Sequence, residues 1–141
     1  MVVIWLELAV QSLANETMGK QQLIIGSILG ALVVGIGAFG AHALNPILVA
    51  NGRLDTFETA VQYHMFHTLA ILIVGILMKQ KTHQLLKLVS FLFLFGILIF
   101  SGSLYVLSIT NITVLGAITP LGGVSFISGW ILLCVYLVKS Y

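Results

Sequence analysis

The chain has 141 residues, of which 60% are hydrophobic and only 7% charged, and its formal net charge at pH 7 is +2. Soluble domains carry about 25% charged residues, so no water-facing surface can be assembled from this composition and the chain belongs in a bilayer. The small charge gives no case for a nucleic-acid partner, and the single cysteine, Cys134, excludes an intramolecular disulfide.

In chain order, residues 1–17, "MVVIWLELAVQSLANET", come first. They lack the basic start of a signal peptide, and the apolar run is shorter than the roughly 20 residues a span needs. A peripheral N-terminal extension is expected, supplied by an upstream start, with Met18-Gly19-Lys20 as an alternative start. A short interfacial helix anchored by Trp5 is the competing reading. Residues 18–141 read as one membrane domain with four spans, about 21–42, 59–78, 88–109 and 117–138. Short connections predict an all-α, up-down, four-helix transmembrane bundle. Asn45-Pro46 closes the first span, because proline disfavours helix in the residue before it, and the stretch on to Asp55 reads as the longest polar connection.

Lys20, Lys79, Lys81, Lys87 and Lys139 fall at one end of such a bundle and Arg53 at the other. The positive-inside bias then predicts that both termini are cytoplasmic. Small residues recur at four-residue spacing, Gly26 and Gly30 in the first span and Ser125 and Gly129 in the fourth. In lipid, such residues let backbones approach closely. Packing within the bundle is the simpler expectation, and a homo-oligomer through these faces the sharper one.

The second span is the informative one. Its nine Leu, Ile, Val and Phe residues supply roughly 4 kcal/mol of favourable insertion, and Gln62, His64 and His67 consume much of it. Polar residues retained at that cost face a bundle interior. Tyr63, His64 and His67 are expected on one helix face and Glu58 and Gln62 on another. An antiparallel arrangement brings His42, Ser101, Ser103, Tyr105 and Thr119 to the same half of the bilayer. Serine and threonine are satisfied by their own helix carbonyls in the simple reading, whereas His42 and His67 are functional candidates because intramembrane ionisable residues usually are. No carboxylate lies deep in a span and no catalytic motif is present, so the chain is not expected to be an enzyme or to carry a cofactor.

Four stretches, "GAFGAHAL" (37–44), "TAVQYHMFHTLAIL" (59–72), "FSGSLY" (100–105) and "TPLGGVSFISGW" (119–130), resemble the small bacterial membrane proteins of domain-of-unknown-function family 423, the YgdD/YwdK-like group. The resemblance covers roughly residues 20–139 and implies a four-span inner-membrane protein with no assigned activity. It also implies patterned polar positions at His42, Tyr63, His67, Ser101, Ser103, Tyr105 and Thr119. His64 departs from the pattern, which commonly has glutamine there, so a mechanism needing both His64 and His67 would not be the family's. The expected function is a polar His/Tyr/Ser pocket in the outer leaflet that binds or passes a small solute, ion or proton. A structural or assembly subunit without ligand is one alternative, and metal or haem ligation by His42 and His67 is another.

Overall fold

The computed structural model describes residues 2–81 and 83–140; Met1, Thr82 and Tyr141, the outer residues of the predicted extension and membrane domain and one residue of a connection, lie outside the described residues. Six α-helices follow in order: α1 (Val2–Ala41), α2 (Asn45–Ala50), α3 (Leu54–Gln80), α4 (Gln84–Gly96), α5 (Gly102–Thr110) and α6 (Thr119–Ser140). A π-turn, Ile97–Ser101, fuses α4 to α5, and a 3-10 turn, Thr113–Ala117, leads into α6. Four stretches are long and apolar enough to cross a membrane: Ile4–Ala41, Leu54–Gln80, Gln84–Thr110 and Thr113–Ser140.

The described part of the N-terminal extension is helical and runs without a break into the first span. At 40 residues α1 is roughly 60 Å long, about twice the hydrocarbon thickness. It stops where Leu44 N–H turns back to the Phe39 carbonyl at 2.8 Å. Pro46 does not simply end the span. It sits in the first turn of α2, where a missing N–H costs nothing, and α2 buries Leu48 completely. What reads as a polar connection is therefore half apolar helix. Gly52, at φ +63°, makes the sharp turn into α3. At the opposite corner Asn111 ends α5 in the left-handed region at φ 56°.

The two corners are tied together. Asn51 Nδ2 donates to the carbonyls of Ser108 and Ile109 at 3.0 and 2.9 Å, and Arg53 Nε donates to Asn111 Oδ1 at 3.0 Å. This end is called the Arg53 end below, and the other, where Lys20 and Lys79 line one shared cavity, the lysine end.

Helix association follows the small residues. A Cβ on Gly26 would stand 2.6 Å from Leu72 Cδ2, and one on Gly30 would meet the Thr68 methyl at 3.8 Å, so α1 lies directly on α3. On α6, Gly122 comes so close to the π-turn that a Cβ would fall 2.5 Å from Phe100 N, and Gly129 packs against Phe93. Between them Ser125 Oγ donates to the Leu92 carbonyl at 2.8 Å. Gly26, Gly30, Ser125 and Gly129 are thus all used inside the bundle, where close backbone packing replaces the hydrophobic drive that lipid does not provide. The core comprises Ile71, Val74, Met78, Leu86, Val89, Phe93, Ile97, Phe126, Leu133 and Tyr136. Large apolar side chains such as Phe39, Ile76, Phe91 and Val124 face outward, as a lipid-solvated exterior requires. Near the lysine end Ser90 Oγ donates to Gln22 Oε1, a polar bridge from α4 to α1.

Candidate functional site

The polar head of α3 is divided by the geometry of the helix itself. Successive residues are turned by about 100°, so Tyr63 and His64, although adjacent, address different neighbours. Tyr63 and His67, one turn apart, face α6 and the π-turn. Tyr63 stacks on Phe100 with ring centroids 4.5 Å apart, and His67 stacks on Phe126 at 3.5 Å and 11°. His64 instead faces α5, with Nδ1 3.3 Å from the Tyr105 hydroxyl.

The hydrogen bonds of His67 determine its tautomer. Nδ1 lies 2.8 Å from the Tyr63 carbonyl, an acceptor only, so Nδ1 carries the proton. Nε2 receives the Trp130 indole N–H at 3.1 Å, a donor only, so Nε2 is bare. The ring is neutral, 3% exposed and saturated on both sides. A proton or metal arriving at Nε2 would have to displace the indole. Trp130 lies within the quoted "ISGW" segment but gave no signal in the sequence, where an indole reads as an interface anchor or core residue.

Around this assembly lies a cavity of about 570 Å³ between α3 and α6, walled by Tyr63, Met65, Phe66, His67, Phe100, Phe126, Ile127 and Trp130, with Gly123 and Gln62 completing it. Met65, Phe66 and Ile127 are each more than half exposed, so the cleft opens towards the surrounding hydrocarbon. No charged side chain lines it. Gln62 and the Tyr63 hydroxyl are its exposed hydrogen-bonding groups. On the α1 side of α3, Glu58 and Gln62 share a cavity of about 370 Å³ with Gly37, Gly40 and Phe57.

The remaining predicted residues are not gathered here. Ser103 Oγ and Thr119 Oγ1 bond each other at 2.9 Å at the α5–α6 corner, and each also reaches a backbone carbonyl, Phe100 and Leu115 respectively. Ser101 is fully buried at the end of the π-turn. His42, exposed just past α1, opens into a separate small cavity with Ala38, Phe39 and Ala43. His42 and His67 therefore occupy different cavities, and among the described residues no three metal-capable side chains converge.

The sequence matches the family described as "Protein of unknown function (DUF423)" over residues 36–123. It is 47% identical over 121 residues to the UPF0382 membrane protein YwdK of Bacillus subtilis, covering 85% of this chain and 98% of that one. It is 45% identical over 116 residues to a UPF0382 membrane protein of Staphylococcus saprophyticus, covering 82% and 95%. To the UPF0382 inner membrane protein YgdD of Escherichia coli it is 38% identical over 113 residues, covering 80% and 86%. No solved structure matches the chain.

Proposed function

The chain belongs to the DUF423 (UPF0382) family of multi-pass bacterial membrane proteins, and on that premise we propose that it is a non-catalytic protein that binds a small amphipathic molecule in the cleft between α3 and α6. The supporting observation is the cleft itself. Its volume of about 570 Å³ falls in the range of small-molecule sites, its walls are aromatic, and its exposed polar groups are confined to Gln62 and Tyr63. Such a lining suits a mostly apolar guest with one hydrogen-bonding end. Because the rim residues face hydrocarbon, the guest arrives laterally from the bilayer rather than from water.

The lysine distribution, with the positive-inside bias, supports a reading in which both termini are cytoplasmic and this cleft lies in the outer half of the membrane. Binding is preferred to passage, because the polar side chains of the spans concentrate towards the Arg53 end. The cleft holds no carboxylate, and His67, the one potential base, has both nitrogens engaged; that is why catalysis is not part of the reading.

Trp5 and Trp130 are the only tryptophans, so a Trp5→Phe variant makes Trp130 the sole fluorescent reporter of the cleft. In nanodiscs of dibrominated phosphatidylcholine, acyl chains entering the cleft quench Trp130, and 4-octylphenol, used as the probe, should relieve that quenching saturably. Gly123→Leu, which extends a side chain into the space beside Phe100, should abolish the relief. Unsaturable relief, or the same relief with Gly123→Leu, would leave the alternative of a structural subunit without ligand, which the hydrogen-bond saturation of His67 favours.

A further inference from the structure

Among the described residues, three buried polar side-chain atoms have no hydrogen-bond partner: His64 Nε2, Thr68 Oγ1 and Ser101 Oγ. Their residues are 4%, 3% and 0% exposed. The cost of such a group is large in any low-dielectric interior, and a helical hydroxyl has a local alternative. Thr59, Ser108 and Thr110 each donate to the carbonyl four residues earlier, at 2.8, 2.7 and 2.7 Å. Thr68 and Ser101 do not use that escape.

The helix register brings the three residues into one region. His64 meets Tyr105 on α5, and Tyr63 stacks on Phe100, the residue before Ser101. Ser101 therefore lies near the level of His64, and Thr68 follows one turn from His64 towards the lysine end. Thr68 turns its methyl to Gly30 on α1, which directs the hydroxyl away from that contact. Ser101 closes the π-turn, a widened stretch of ladder of the kind often found where a helix accommodates something other than its own side chains.

We infer that His64 Nε2, Thr68 Oγ1 and Ser101 Oγ jointly bind one internal water molecule at the π-turn, a site separate from the α3–α6 cleft and on the other flank of α3. The chemistry selects water. Two hydroxyls and one imidazole nitrogen offer both donors and acceptors, and buried waters typically make about three bonds to groups otherwise left unsatisfied. No carboxylate accompanies them to balance a cation. The bound water bridges α3 to the α4–α5 span, adding a polar link to the His64–Tyr105 pair and the Tyr63–Phe100 stack.

Thr68→Val and Ser101→Ala keep shape and remove one hydroxyl each, and the sign of their effect discriminates. If a shared water is bound, each lowers the thermal midpoint in nanodiscs by several degrees, and the double variant loses less than the sum. If the atoms are merely stranded, each substitution raises the midpoint, which overturns the inference; so does strict additivity. On the unaltered chain, X-ray radiolytic footprinting should oxidise His64 although it is buried, and its full protection would also overturn the inference. Replacing sodium by choline at constant ionic strength should leave the midpoint unmoved. A sodium-dependent shift lost in Thr68→Val would mean that a cation, not water, is bound.

Discussion

His67 and His64 sit three residues apart on one helix, are almost equally buried, and live in opposite circumstances. On the α6 flank every polar atom of His67 is matched, by the Tyr63 carbonyl and the Trp130 indole, and its ring faces are covered by aromatic neighbours. On the α5 flank His64 bonds the Tyr105 hydroxyl through Nδ1, and its Nε2 stays unpaired, as do the hydroxyls of Thr68 and Ser101. Histidine inside a membrane helix is thus no single signal. One flank of α3 is closed by the chain's own groups and owes its interest to the cleft beside it; the other is built to be completed from outside the chain.

Four substitutions press on that contrast, in decreasing order of expected effect. His67→Ala removes an aromatic-sized side chain from a packed stack and should lower stability by about 3–5 kcal/mol, read as the detergent unfolding midpoint. An unchanged midpoint would break the view of the α6 flank as closed and structural. Trp130→Phe keeps an aromatic ring but strands His67 Nε2, and should cost about 1–3 kcal/mol, read as the same midpoint. Tyr105→Phe withdraws the single chain-internal partner of His64 and should cost about 0.5–1.5 kcal/mol; a cost above that of Trp130→Phe would reverse the comparison. His42→Ala, at an exposed position in a separate cavity, should stay within about 0.5 kcal/mol of the parent, and both flanks should behave as before.

The four spans were legible because a membrane helix must supply some 20 apolar residues in a row, a condition that composition alone exposes. The polar residues at the head of the second span were legible as well. Their partition was not. Tyr63, His64 and His67 look like one face on a helical projection, yet α3 is flanked by two different helices and the roughly 100° step from Tyr63 to His64 crosses the boundary between them. The π-turn has no counterpart in "ILIFS", since nothing in that run distinguishes a widened turn from an ordinary one. Trp130 was missed because its role depends on the register between α3 and α6, which no single segment encodes. Glu58 and Gln62, by contrast, share a cavity on the α1 side of α3, as their spacing implied.

The α1–α3 contact has a consequence for the order of assembly. Its glycine-lined interface draws on residues from Gly19 to Lys79, and a hydrogen bond joins Gln22 of α1 to Ser90 of α4. Once Gln80 has left the ribosomal exit tunnel, both halves of that interface are available to the insertion machinery. The two helices can pair in the bilayer before the hairpin of α4–α5 and α6 inserts, so that α3 is already held by α1 when it meets the later helices through His64 and His67.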